Sequence, residues 1–403
     1  MERVIVTGAT SMIGEALIEE CLKHGISVCA VIRKDTARKD RLPQDPHLEQ
    51  VECSLEELAA LPEKVTGSFD TFYHIAWGYT GAARNKSTRL QSKNIDYTLD
   101  AVEAAAKLGC KRFIGAGSQA EYGPLDREMI GPDAPEHPTT PYGVSKLAAG
   151  KLSKLLCKEL GIEWIWPRIF SVYGIYDKES TMVMTALHQF LAEEETAFTP
   201  GEQEWDYLYS KDAGRAFYLI GEKGRDGSIY CVGSGKARRL YEYIYQIRDV
   251  ANPKATPGIG KKSYGVQPVM HLCADISSLK NDTGFEPAYE FSSGIREMVR
   301  WMKEKRQMKK KISVVIPTYN EEGNVKPLAE SIVAVMETEL PEYRYEILFI
   351  DNHSKDNTQA LLRGLCANNK KIKAIFNAKN FGQARSPVYG MKQAYGDCVV
   401  RMC

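Results

Sequence analysis

An apolar run, a glycine turn and the start of an amphipathic helix open this chain, and that unit recurs along most of its 403 residues. Val4-Ile5-Val6-Thr7-Gly8-Ala9-Thr10-Ser11-Met12-Ile13-Gly14 reads as strand, tight turn and helix. Strands are expected near Arg3–Thr7, Ser27–Ile32, Thr71–Ile75, Arg112–Gly115 and Trp164–Arg168, with helices such as Gly14–His24 and Tyr97–Leu108 between them. Strands alternating with helices bury both faces of a sheet when the strands run parallel and the helices cover them. A Rossmann-type, doubly wound parallel α/β fold follows. From about Ile175 the pattern loosens and becomes richer in aromatics, as expected of a small substrate lobe spanning mainly 175–300.

Length favours two domains over one. The stretch Lys303-Glu304-Lys305-Arg306-Gln307-Met308-Lys309-Lys310-Lys311 reads as a solvated helix end running into a linker. It divides a first domain, 1–308, from a second, 309–403. A net charge of +1 gives no reason to expect nucleic acid as a partner. No apolar run reaches eighteen residues, so no membrane span is expected. The first strand begins at Val4, which leaves no room for a signal peptide, and a cytoplasmic protein is expected. Ten cysteines carry no CxxC pair and no metal-like spacing, so they read as buried thiols, and no metal site is expected.

Tyr142-Gly143-Val144-Ser145-Lys146 places a phenol and an ammonium four residues apart, on one face of a helix. A lysine so placed can hold a phenol below its reference pKa of ~10. Upstream, Gly117-Ser118-Gln119-Ala120-Glu121-Tyr122-Gly123 brings a serine hydroxyl at the end of an apolar strand. A dinucleotide turn followed by serine, tyrosine and lysine is the chain order that carbonyl oxidoreduction requires. In the turn, Gly8 permits the bend, Gly14 permits close packing, and the helix N-terminus faces a pyrophosphate. Ser11 stands where a middle glycine often lets the backbone approach the phosphate. After the second strand comes Ile32-Arg33-Lys34 rather than an acid. A guanidinium there can pair with a 2′-phosphate, which favours NADP over NAD.

Together these residues resemble the extended short-chain dehydrogenase/reductases, the NAD(P)-dependent nucleotide-sugar epimerases, dehydratases and reductases. The resemblance covers about three quarters of the chain. It includes His74-Ile75-Ala76-Trp77 and Pro167-Arg168-Ile169-Phe170-Ser171-Val172-Tyr173-Gly174. Further on it includes Trp205-Asp206-Tyr207-Leu208-Tyr209-Ser210-Lys211-Asp212 and Ala274-Asp275 through Pro287. It implies Tyr142 as acid/base, Lys146 on the nicotinamide ribose, and Ser118 on the reacting oxygen. It implies cofactor contacts from Thr7, Gly8, Thr10, Ser11, Met12, Ile13, Gly14, Arg33, His74, Ala76, Trp77, Arg168 and Ser171. Substrate contacts are implied for Gln119, Ser171 and Asp206, and a homodimer through the first domain is expected.

Dehydratases of that family carry Asp-Glu after the serine or threonine. This chain has Gln119-Ala120, which transfers no proton, so dehydration is disfavoured. Ser171 stands where many relatives have Asn. An arginine often found near the closing segment is missing at Val266-Gln267-Pro268. The expected activity is reduction of a nucleotide-linked 4-keto sugar, consuming NADPH and supplying an activated sugar for surface polysaccharide synthesis. C4 epimerisation is the alternative, and a non-catalytic NADP-binding scaffold is an alternative of another class.

Strands are expected again at Ile312–Pro317, Glu346–Asp351, Ile372–Asn377 and Cys398–Met402. Ile312-Ser313-Val314-Val315-Ile316-Pro317-Thr318-Tyr319-Asn320-Glu321-Glu322 and Asp351-Asn352-His353-Ser354-Lys355-Asp356 resemble the opening of a family 2 glycosyltransferase of GT-A fold. The resemblance implies that Pro317, Tyr319, Glu321, Asp351 and Asp356 surround a nucleotide sugar. The DxD metal motif expected after the last strand is missing and the domain looks cut short, so no transferase activity is expected of it. Glycosyl transfer would become the main activity if the natural chain continues.

Overall fold

The computed structural model describes residues 1–34, 36–265, 269–308 and 310–402. Two compact units emerge, Met1–Val299 and Arg300–Cys403. The helix Phe291–Met308 runs across the division. Lys309, at the boundary expected from the sequence, and the 266–268 segment lie outside the described residues.

The first unit is built on a parallel sheet whose strands lie in the order Ile229–Val232, Glu163–Ile169, Arg112–Gly115, Thr71–His74, Arg3–Thr7, Ser27–Ile32, Leu48–Glu52. Gly117–Ser118 continues beside Glu163–Ile169. Period-two alternation sorts the side chains onto two faces. Val4 and Val6 pack with Leu17, Phe217 and Ile220, whereas Ile5 packs with Phe72, Ala101, Phe113 and Trp166 on the other side. Both faces are buried, which is why these strands read as continuous apolar runs. The strand order reverses between Arg3–Thr7 and Thr71–His74, and a crevice opens outside the carboxyl ends of strands at such a switch point.

Where the sequence suggested a helix from Tyr97, the helix runs over Thr88–Lys107, capped by the Ser87 hydroxyl, which accepts from Leu90 N at 3.4 Å. Its first turns are polar, so they carry no apolar stripe. The buried side chains of Gln91 and Asn94 instead pin the crevice loop. Gln91 Nε2 donates to the Tyr79 carbonyl at 2.9 Å, and Gly78 N donates to Asn94 Oδ1 at 2.6 Å. The lobe after residue 170 contains a small mixed sheet, Ala237–Arg239, Glu204–Tyr209 and His271–Leu272, with Ser171–Tyr173 also paired to Glu204–Tyr209.

The second unit holds a four-stranded parallel sheet in the order Ile372–Phe376, Arg344–Asp351, Lys311–Thr318, Cys398–Arg401. Val314 and Ile316 pack on one face and Val315 on the other. No helix among the described residues is long and apolar enough to cross a membrane.

Candidate active site

The crevice is a cleft of about 1030 Å³ that runs from the first glycine turn to the start of the helix Pro141–Leu160. Gly8 adopts φ +71°, and a Cβ on Gly14 would stand 2.3 Å from the Gly8 carbonyl oxygen, so neither position accepts a larger residue without movement. Ser11 has a role that the sequence pattern did not reveal. It caps the helix Met12–Lys23, its hydroxyl accepting from Gly14 N at 3.1 Å. That cap leaves the remaining helix N-terminus facing the cleft, the arrangement that suits a pyrophosphate.

At the end of the strand Ser27–Ile32, three arginines line the cleft: Arg33, Arg38 and Arg41. Arg41 donates to the Thr10 carbonyl at 3.4 Å and its guanidinium sits 4.3 Å from the Tyr176 ring centroid. Burial, and then the neighbouring Arg38, lower its proton affinity. A dinucleotide phosphate fits this cradle of glycine turn, helix end and cations.

The other end of the cleft holds Ser118, Tyr142 and Lys146. Pro141 and the Thr140 hydroxyl, which accepts from Gly143 N at 3.1 Å, start the helix. Gly143 then lets that first turn close on the serine segment, since a Cβ there would lie 2.3 Å from the Ala120 carbonyl oxygen. The buried Ser118 hydroxyl accepts from Ala120 N at 3.2 Å, and its own proton remains available to a substrate oxygen. Lys146 is buried; it donates to the Ala116 carbonyl and stands 3.7 Å from the Trp77 ring centroid. Burial brings its pKa down to about 7, Arg84 adds to that, and Glu121 opposes it. The Tyr142 ring lies edge-on to Trp77 at 5.9 Å, and the Arg84 guanidinium sits 4.1 Å from its centroid.

Several expected contacts turn out to be supports. Arg168 does not line the cleft. Its buried guanidinium pairs with Glu121 at 2.7 Å and with Glu136. Glu121 also accepts from Ser118 N at 2.8 Å and from the Trp166 indole, so this pair fixes the serine's backbone from behind. His74 is likewise behind the cleft wall, its Nδ1 bonded to the Thr7 hydroxyl at 2.9 Å; burial, then Lys146, drives its pKa down to about 3 and keeps it neutral. Ser171 accepts from the Trp205 indole at 2.8 Å. Asp206 is fully buried and accepts from Ser234 N, Gly235 N and Ala274 N at 2.7–3.1 Å, which knits the substrate lobe together. Thr7, Gly8, Thr10, Ser11, Met12, Ile13, Arg33, Ala76, Trp77 and Gln119 do line the cleft. Gly14 supports the turn from beneath.

Tyr79, Arg84, Tyr176 and Lys178 also line it and escaped the sequence reading, as did Arg38 and Arg41. They come from loops or, for Arg41, from the three-residue helical turn Lys39–Arg41, where no periodicity marks a side chain as inward. Tyr79 and Tyr176 adopt positive φ, a backbone cost that flags both loops.

In the second unit, the residues singled out cluster at the carboxyl ends of Lys311–Thr318 and Arg344–Asp351. Asp351 is fully buried and accepts from His353 N at 3.1 Å, Ser354 N at 3.2 Å, the Ser354 hydroxyl and Gln359 Nε2 at 2.6 Å. Asp356 accepts from Glu322 N and Thr358 N, both at 3.1 Å, and Glu321 accepts from Asn324 at 2.6 Å. Pro317 sits within its strand and Tyr319 is exposed.

Residues 4–233 match the NAD dependent epimerase/dehydratase family, and residues 313–402 match glycosyl transferase family 2. Among curated relatives, an uncharacterized UDP-glucose epimerase, YtcB, of Bacillus subtilis is 26% identical over 74% of this chain and 98% of its own. The dTDP-glucose 4,6-dehydratase of Haemophilus influenzae is 24% identical over 75% of this chain and 98% of its own. Among solved structures, the UDP-glucose 4-epimerase of Thermotoga maritima is similar in fold, with a TM-score of 0.67 and 21% identity over 75% of this chain and 99% of that one. The cleft, its glycine turn and its Ser118-Tyr142-Lys146 set thus stand in a chain that belongs to the NAD dependent epimerase/dehydratase family and carries a family 2 glycosyl transferase domain after it.

Proposed function

We propose that the first unit performs NAD(P)-linked oxidoreduction at C4 of a nucleotide-activated hexose, reducing a 4-keto sugar. The observation that carries this reading is Tyr142, with Ser118 and Lys146, facing the same cleft as the glycine turn. Tyr142 gives its proton to the C4 oxygen as that carbon gains hydride, and Ser118 donates a hydrogen bond to the same oxygen. Bound in the cleft, the nicotinamide supplies the hydride. Lys146 loses some of its burial penalty once ribose hydroxyls replace the Ala116 carbonyl as its partners.

Dehydration needs an acid and a base beside the serine. Gln119 and Ala120 provide neither, and the nearest carboxylate, Glu121, is held by Arg168. Arg33, together with Arg38 and Arg41 in the same cleft, supports NADPH as the cofactor. The second reading, C4 epimerisation, is favoured by the relatives named as UDP-glucose epimerases. Incubating the protein with NADPH and a nucleotide-linked 4-keto hexose separates them. Stoichiometric loss of reduced-nicotinamide absorbance supports the reductase. Interconversion of C4 epimers without net cofactor loss supports the epimerase. Absence of both would overturn the C4 assignment.

A further inference from the structure

Arg84 has no role in the chemistry above. Its guanidinium is half-buried and lies over the Tyr142 ring with no carboxylate in ion-pair contact among the described residues. The acids nearest along the opposite loop are committed elsewhere. Asp177 accepts from Lys178 N at 2.7 Å and from the Thr181 hydroxyl at 3.0 Å, and Glu179 pairs with His188 at 2.5 Å. Lys178, a second cation lining the cleft, donates to the Thr80 carbonyl at 3.1 Å and so ties its loop to the one that carries Arg84. The positive charge of Arg84 lowers the proton affinity of Lys178, after the larger effect of burial, and the neighbouring Asp177 opposes both. The cofactor's phosphates already have the helix end and the arginines after the second strand.

We propose that Arg84, backed by Lys178, recognises an acidic hexose, one whose C5 bears a carboxylate. This rests on the reading that C4 reacts at Tyr142. A carboxylate on C5 is attached to the ring atom next to C4, so it falls beside whatever flanks the Tyr142 hydroxyl. The sugar's diphosphate leaves from C1, across the ring from C4, and is directed away from Arg84. A guanidinium lying over a ring can still present N–H groups to a planar carboxylate. A 6-deoxy sugar would offer a methyl group there and leave the guanidinium desolvated without a partner.

The test uses the full chain, saturated with cofactor, with Tyr142→Phe as background so that binding is read without turnover. Calorimetric titration with UDP-glucuronate, UDP-glucose and UDP compares this protein with one also carrying Arg84→Gln. The expected result is tighter binding of the glucuronate by about tenfold or more, with that advantage abolished in Arg84→Gln and the other two affinities changed less than about threefold. Arg84→Lys should keep part of the advantage, which shows that charge and not folding is being read. Equal losses for all three ligands, UDP included, would overturn the inference and reassign Arg84 to the diphosphate or to structure. Binding of both sugars with no preference in the parent protein would overturn it while leaving the C4 reading intact. If neither nucleotide sugar binds more tightly than UDP, the C4 reading fails and this inference fails with it.

Discussion

The two units solve the same architectural problem and leave their polar groups in opposite conditions. Each is a parallel sheet with its chemistry-bearing residues beyond the carboxyl ends of the strands. In the first, Tyr142, the Ser118 proton and Arg84 are presented to a cleft, while the acids nearby are withdrawn into supporting pairs such as Glu121–Arg168. In the second, Asp351 spends its oxygens on the amides and hydroxyl of its own turn and on Gln359, and Asp356 on the amides of Thr358 and of Glu322 from the preceding loop. A buried carboxylate with four donors is a strong structural element, because removing it strands those donors away from water. Presence of a motif residue at a strand end therefore says where it is, and its hydrogen-bond partners say what it is free to do.

The sharpest way to break this comparison is Tyr142→Phe. Turnover should fall by ~10²–10⁴-fold with cofactor affinity nearly unchanged, as read by hydride transfer and cofactor titration on one preparation. Retention of turnover would mean that the cleft-lining phenol is as structural as Asp351. Conversely, Asp351→Ala should cost the second unit about 3 kcal/mol in urea unfolding followed by hydrogen exchange within residues 310–402. Redox turnover of the first unit should be unaffected. A neutral effect on unfolding would show that the four hydrogen bonds carry little net energy.

Lys146 offers a pH test of the same contrast, since it is a buried lysine that lines the cleft. Its pKa is lowered from 10.5 to about 7 by burial, so between those values the unfolded chain holds a proton that the native protein lacks. Stability from this group therefore rises with pH across that window, by up to about 1.4 kcal/mol per pH unit, and is lowest below pH 7. Lys146→Met should stabilise the cofactor-free protein most at the acid end of the window, with its advantage shrinking toward pH 10. A difference that stays flat with pH would rule out the neutral native lysine. The smallest effect is expected at the exposed end of the cleft. Arg33→Ala should reduce the preference for NADPH over NADH by about tenfold or less, with Arg38 and Arg41 retaining the remainder. Steady-state kinetics with both cofactors measures it.

The sequence by itself determined the parallel strands, the glycine turn and the Ser118-Tyr142-Lys146 order. Those features are local: an apolar run of strand length, a positive-φ position that only glycine fills cheaply, and an i,i+4 pair on a helix. It also carried the second unit's strands, displaced by a residue or two at their ends. Tertiary structure alone decided the partners. Arg168 and Asp206 sit in the motif stretches as expected, yet the buried Glu121 claims the first and three backbone amides claim the second. The polar start of the helix Thr88–Lys107 was hidden because its buried amides serve a loop rather than an apolar core. Arg84 reaches the cleft from a loop and Arg41 from a single helical turn, and no spacing in a sequence fixes where such a side chain ends up. Periodicity records which face of an element is buried; which polar atoms meet across that burial is settled only when distant segments pack together.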